Sequence, residues 1–555
     1  MDAFKPDLYI SLLKMKIIKN NLILLWVFVF LLPTIFLGFM ADDRQWVLSA
    51  PFVNDFDLLN LADKILIQIK QIGRFFPINV VLITSAFHFF DYNNAWVYHL
   101  VIVLLNVLAF WMYSKWFDEF FGSTNKLWLI LLLLASTQFR ITYNDPILSN
   151  AGMLQFLAIL FFSSLICLNR YFVGKKIVSL LFWTILTLLQ LMTYELAFFI
   201  LSVPAYLIFK NRFKNREKAL IALTFLICIS VLYVLIYIVT SEKTLGNYGG
   251  TSVNFNTINI FSTFIAEAFG STPLSYGAYL ASSWLKIPAW IVWGGYALFL
   301  IIFLVSTVAP YGVLKQLSIK NRDSIIYGML IWFSSAVSIA FSSRYQSELT
   351  PGLAYAVIYI QNFGFALTIF SLVNLRNFFS RFCIIFVVFL VFIMNSLLIY
   401  QGMKVDGSKL MMLKIISNKE IVGKYKFSYT VLNEKIFQSD EFHNKIFSQN
   451  FGMAIFVGAK NISQVNFPIN ADIGIVLAEL ENYRSSYAII GRFNASSRCV
   501  EDGTLLSSSL IRAIELAKQY ASGPVITYSQ DGEFLYGFHM SRPILVPDEL
   551  VGSFR

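Results

Sequence analysis

Long apolar runs recur through the first 400 residues, most of them close to the length that crosses a bilayer. They fall at 21–40, 95–113, 127–139, 150–168, 177–194, 196–209, 219–240, 288–308, 324–342, 353–373 and 382–400. Roughly 20 apolar residues as a helix span about 30 Å of hydrocarbon. Backbone in lipid must satisfy its own N–H and C=O groups, so such runs fold as helices. Composition agrees: the chain is 57% hydrophobic and 14% charged, where a soluble domain has about 25% charged residues. The expected fold is an all-α polytopic membrane protein with about 11 transmembrane helices, followed by a small α/β domain.

The net charge of +11 does not point to nucleic acid, because Lys and Arg fall in short connections between apolar runs. That placement is a topology signal. Lys5, Lys14, Lys16 and Lys19 make a basic, cytoplasmic N-terminal segment. The first apolar run is too long for a signal-peptide core and is expected to remain as a helix. Lys115 and Lys126, Lys315, Lys320 and Arg322, and Arg376 and Arg381 then fall inside, while Asp42, Asp43, Asp145, Glu195, Glu267 and Glu348 fall outside. More than 30 apolar residues surround Tyr194-Glu195 with basic clusters at both ends, which reads as a hairpin with Glu195 at its outer turn. Of the four cysteines, Cys167, Cys228 and Cys383 lie in apolar runs and Cys499 in the tail, a spacing that makes neither a disulfide framework nor a zinc site.

Residues 41–94 form the first outer loop. Within it, Leu58–Ile72 carries apolar residues at helical spacing, the pattern of a helix lying in the interface. Ile78–Phe90 is short for a span and reads as re-entrant or interfacial. After Tyr400 the composition turns mixed and polar, so residues 1–400 are expected to be one transmembrane domain and 401–555 an extracytoplasmic accessory domain. Strand-like stretches there are Ala454–Val457, Ile473–Leu477, Tyr487–Ile490 and Pro524–Tyr528, and Ser507–Tyr520 reads as an amphipathic helix.

Four polar groups share the outer face in this topology: Asp42-Asp43, Gly73-Arg74, Tyr143-Asn144-Asp145-Pro146 with Glu195 nearby, and Ser343-Arg344-Tyr345-Gln346-Ser347-Glu348. Arg grips phosphate oxygens bidentately, and a carboxylate can take the proton of an attacking hydroxyl. That pairing suits a lipid-linked sugar phosphate whose isoprenoid tail stays in the membrane. Blander readings stand beside it. Asp42 and Asp43 also fit a solvated helix terminus, Arg344 a side chain snorkelling to headgroups, Asp145 a turn and Glu195 a solvated turn residue.

The Asp pair after helix one, the long outer loop, the multispanning body and the outer C-terminal domain resemble the GT-C superfamily of integral-membrane glycosyltransferases. Asp42-Asp43, Gly73-Arg74-Phe75, Thr193-Tyr194-Glu195 and Ser343-Arg344-Tyr345 resemble more narrowly the bacterial GtrII-like O-antigen glucosyltransferases. The resemblance covers about residues 1–400 and implies a polyprenyl-phosphate sugar donor, a glycan or lipid-linked acceptor in lipopolysaccharide or another surface polysaccharide, and a bacterial inner-membrane location. It implies flippase and donor-synthase partners as well. Asp42 or Asp43, with Asp42 favoured, would be the catalytic base. Arg74 and Arg344 would hold the donor phosphate, with Tyr194 and Tyr345 beside them in the substrate site. Asp145 and Glu195 would position hydroxyls. Asp42, Asp43 and Asp145 are the candidate ligands for Mg²⁺ or Mn²⁺, although the superfamily includes metal-independent members. Competing readings are a transporter or flippase of lipid-linked saccharide, an O-antigen polymerase or ligase, and a membrane scaffold.

Overall fold

The computed structural model describes residues 23–39, 43, 46–47, 58, 61–62, 65, 74–90, 94–122, 125–140, 145–174, 176–241, 253–283, 285–307, 319–373, 375 and 377–417, and six strands in the tail. It is an all-helical body, and the chain is a multi-pass membrane protein. Among the described residues, six helices are long and apolar enough to cross a membrane: Ala95–Phe121, Asn150–Gly174, Arg216–Val239, Ala289–Thr307, Arg322–Ala340 and Phe378–Tyr400. Ile23–Phe36, Pro77–Phe89, Lys126–Ser136, Ile177–Thr193, Leu196–Asn211 and Ile358–Leu372 are apolar but shorter, at 10–17 residues. Every expected span is therefore helical at its centre. Five of the expected eleven, at 21–40, 127–139, 177–194, 196–209 and 353–373, fall in the shorter class.

In chain order the helices used below are α1 (Pro77–Phe89), α2 (Ala95–Phe121), α3 (Lys126–Ser136), α4 (Met153–Gly174), α5 (Ile177–Thr193) and α6 (Leu196–Asn211). They continue with α7 (Arg216–Ser241), α8 (Thr257–Gly270), α9 (Ala289–Thr307), α10 (Ile319–Ala340), α11 (Ser343–Glu348), α12 (Ile358–Leu372) and α13 (Phe378–Ser417). The chain divides into two compact units. One comprises Met1–Ile35, Leu59–Thr84 and His99–Ile399; the other comprises Phe36–Leu58, Ser85–Tyr98 and Tyr400–Arg555.

In the first unit the span containing α4 is central, with 78% of its apolar window buried, while α9 is peripheral, with 6% buried. Leu298, Ile301, Ile302 and Val305 on α9 are exposed, as lipid-facing side chains are. The aromatic core lies between α2, α4 and α12, where the Tyr113 ring packs at 5.0 Å from both Phe162 and Phe363. The Tyr113 hydroxyl donates to the Phe363 carbonyl at 2.8 Å.

Helices α10 and α12 touch backbone to backbone. A Cβ on Gly364 would meet the Trp332 amide nitrogen at 2.3 Å, and one on Gly328 would meet the Thr368 nitrogen at 2.8 Å. Small residues allow this approach where lipid offers no hydrophobic drive for helix association.

Helix α3 stops at Ser136, three residues before the end of the apolar run that predicts it. Thr137–Arg140 are non-helical and buried, so their backbone needs other partners. Asn395 of α13 supplies two of them: its Oδ1 accepts from Phe139 N at 3.0 Å, and its Nδ2 donates to the Thr137 carbonyl at 2.9 Å.

Helix α2 runs on to Phe121 and α13 to Ser417, both beyond the expected spans at 95–113 and 382–400. The stretch expected at 78–90 is helical as α1. Of the proposed interfacial helix, Leu58, Leu61, Ala62 and Ile65 are described, Leu58 in a 3-10 turn and the other three α-helical. In the tail, β1 (Tyr425–Thr430), β2 (Ile475–Leu480), β3 (Ser486–Ile490) and β6 (Leu545–Val546) form an antiparallel sheet in the order β1-β2-β3-β6. Strands β4 (Val525–Ile526) and β5 (Gly537–Phe538) pair separately. Ala454–Val457 and Ser507–Tyr520 lie outside the described residues.

Candidate functional site

Tyr194 and Glu195 sit in the break between α5 and α6. Helix α5 ends because Tyr194 is extended, at φ −162° and ψ 142°, and α6 starts at Leu196. A lone carboxylate in an apolar run is costly, and here it is answered by a cation from 121 residues earlier. Arg74, just before α1, donates from Nε to Glu195 Oε1 at 2.5 Å and from Nη2, on the same edge of the guanidinium, to Oε2. Two parallel charge-assisted bonds fix both planes. The pair is largely sheltered, at 15% and 21% side-chain exposure. The Phe76 ring at 4.8 Å and the Tyr194 ring at 5.6 Å flank the guanidinium carbon, a cation–π setting that favours Arg over Lys.

The pair lines a cavity of about 310 Å³, at the small end of the range of about 300–1,000 Å³ for ligand pockets. Tyr194 and Tyr345 line it with them, so four of the sequence-derived residues come together. Its apolar wall includes Leu196, Phe198, Phe199 and Val234. Val253 and Ser342, which also line it, form an antiparallel bridge, and Gln346 of α11 ties the two segments by donating to the carbonyls of Asn254 and Ala340, each at 2.9 Å. Tyr345 is held from behind by the Tyr355 ring at 4.4 Å.

Two further lining residues, Tyr233 and Tyr237, come from α7. Sequence reasoning passed over them because a tyrosine in a span reads as packing. Their four-residue spacing, which puts both on one helix face, was the available signal.

The remaining candidates lie elsewhere. Arg344 pairs with Glu348 one turn along α11, Nε to Oε1 at 2.8 Å, with both side chains more than a third exposed; it does not line the cavity. Asp145 is 1% exposed and accepts from the backbone N–H of Arg140 at 2.5 Å, Ile147 at 2.8 Å and Leu148 at 2.7 Å. This is a turn arrangement, and Asp145 is also outside the cavity lining. Burial pushes its carboxyl up to about 6, against the lowering by those three bonds and by the Arg140 charge.

Sequence reasoning gave no role to Arg140 and took Glu267 only as a topology marker. The Arg140 guanidinium is buried, donating to the carbonyls of Ala354 at 3.0 Å and Gly270 at 3.4 Å. Glu267 in α8 accepts from Tyr355 N at 2.7 Å and Gln361 Nε2 at 3.1 Å. Burial pushes the Glu267 carboxyl up to about 8, opposed by the Tyr355 bond, the Arg140 charge and the Gln361 bond.

In the second unit, Asp43 is helical and 0% exposed, so a solvated terminus does not describe it. The Tyr98 hydroxyl donates to its Oδ2, and the Tyr98 ring packs among Phe39, Phe87 and Phe90 at 4.9, 5.9 and 5.7 Å. Asp42 and Gly73 lie outside the described residues, as do Tyr143 and Asn144.

Among the described residues no three His, Cys, Asp or Glu side chains are grouped to hold a metal ion. Asp145 already spends its acceptor oxygens on three backbone donors, a poor fit to an ion. Comparison of the chain with protein-family models, characterised proteins and solved structures finds no match.

Proposed function

We propose that this protein is a membrane glycosyltransferase that moves a sugar from a polyprenyl-phosphate donor to a cell-envelope glycan or lipid-linked acceptor, on the outer face of a bacterial inner membrane. The observation that carries the reading is the Arg74–Glu195 pair in an aromatic cavity. A guanidinium engaged bidentately by a carboxylate is presented in the geometry that a phosphate takes. The largely apolar wall suits a headgroup delivered from lipid. In this reading the body is GT-C-like with eleven crossings, and the tail is an extracytoplasmic accessory domain.

The chemistry follows the resemblance noted above. The acceptor hydroxyl oxygen bonds to the anomeric carbon as that carbon's bond to the phosphate oxygen breaks. The electron pair leaves with polyprenyl phosphate, whose charge Arg74 balances. The hydroxyl proton passes to Asp42 or Asp43. Glu195 orients Arg74 and accepts from ligand hydroxyls once phosphate shares the guanidinium.

The test is transfer from a labelled polyprenyl-phosphate hexose in membranes carrying the wild type, Asp42→Asn or Asp43→Asn, matched for expression. Loss of a hundredfold or so, the scale of a removed general base, in one variant supports the enzyme and identifies the base. Unchanged transfer in both overturns the catalytic assignment.

A further inference from the structure

Tyr233 is one of the residues that line the cavity. Tyr233 is 7% exposed, and its hydroxyl oxygen is buried with no hydrogen-bond partner among the described residues. Buried hydroxyls are usually satisfied. Here the ring is fixed by packing, stacked on Phe198 at 6.0 Å and beside Tyr237 at 6.4 Å. The hydroxyl is thus held in place by the packing of its ring. Arg74 and Glu195 line the same cavity as Tyr233.

A phenol hydroxyl both donates and accepts but carries no charge. Beside an anion site, it matches a ligand with a neutral oxygen close to its phosphate. Bare polyprenyl phosphate offers no hydroxyl outside its phosphate group, whereas a glycosyl phosphate offers several. Phe198 and Phe199 add aromatic faces, whose partial negative charge suits the C–H face of a pyranose ring. Resting on the transferase reading, we infer that Tyr233 is the specificity-determining residue that distinguishes sugar-loaded from sugar-free polyprenyl phosphate, by hydrogen bonding a sugar hydroxyl while Arg74 holds the phosphate.

The experiment is calorimetric titration of the full-length protein in detergent with polyprenyl phosphate, bare or carrying glucose, galactose or mannose. Wild type is expected to bind one sugar-bearing lipid more tightly than the bare lipid. Tyr233→Phe is expected to weaken that lipid about three- to tenfold, the scale of one neutral hydrogen bond, and to leave the bare lipid within about twofold. Because the deleted hydroxyl has no partner among the described residues, Tyr233→Phe should unfold at or above the wild-type temperature. Equal effects on both lipids, no effect on either, or a wild type that favours no sugar overturns the role of Tyr233 while leaving phosphate binding intact. A wild type that binds none of the four lipids overturns the transferase reading itself, and this inference with it.

Discussion

Arg74 and Glu195, 121 residues apart in sequence, meet through two parallel hydrogen bonds from Nε and Nη2 on one edge of the guanidinium. One residue precedes helix α1 and the other interrupts an apolar hairpin, so the pair closes a long loop of chain at the cavity. Lysine cannot reproduce the forked contact. Arg74→Lys is expected to lower transfer at limiting donor by at least about tenfold, with a far smaller loss at saturating donor. Initial rates across a donor series check this, and an unchanged series would remove Arg74 from the donor site.

The Tyr98 hydroxyl is a donor to buried Asp43. A hydrogen bond to the charged form of a carboxylate favours that form, so its loss raises the pKa. With Asp43 as the base, Tyr98→Phe therefore moves the acidic limb of the pH–rate profile to higher pH. An unmoved limb, with Asp42→Asn inactive, assigns the base to Asp42.

Glu267 titrates at about 8 in the folded chain because of burial, against 4.5 for an ordinary glutamate. The folded state then holds more protons than the unfolded state between those values, so stability falls as pH rises through that window. The contribution is fully present below about pH 4.5 and lost as pH passes about 8. Thermal unfolding in detergent should show a falling midpoint from pH 5 to 8, and Glu267→Gln should flatten that slope. Gln361, whose Oε1 has no partner, can turn to receive the new amide. A slope equal to wild type would show that Glu267 does not titrate there.

Gly364→Ala places a methyl 2.3 Å from the Trp332 amide nitrogen. Neither backbone can yield locally, so the helices must part, at a cost of about 1–3 kcal/mol. A lower unfolding midpoint is expected, and a smaller loss for alanine at Gly294, where nothing lies within 4 Å. Equal midpoints would mean the two helices are not in contact.

The helical centres were legible because apolar length is a local property, and the break at Glu195 was legible because a carboxylate there is anomalous. The end of α3 was not. Thr137-Gln138-Phe139 continue the run in character, and the residue that stabilises their extended backbone, Asn395, lies more than 250 positions away. Arg140 escaped notice for a similar reason: its partners are the carbonyls of Ala354 and Gly270, and any residue carries a carbonyl. Strand β3 was legible from alternation to within one residue, and of the stretch expected at Pro524–Tyr528 the described residues, Val525 and Ile526, form β4.

The glycine contact between α10 and α12 also acts at a distance. These two helices are the arms of a hairpin, and the segment joining them carries Tyr345 and Tyr355. From Gly328 to the end of α10 is ~18 Å at 1.5 Å per residue. A small change of angle at the clamped stem is therefore magnified at the tip. A methyl group added at the seam would reshape a cavity wall it never touches, and a screen for altered ligand preference would recover such remote lesions alongside those in the wall itself.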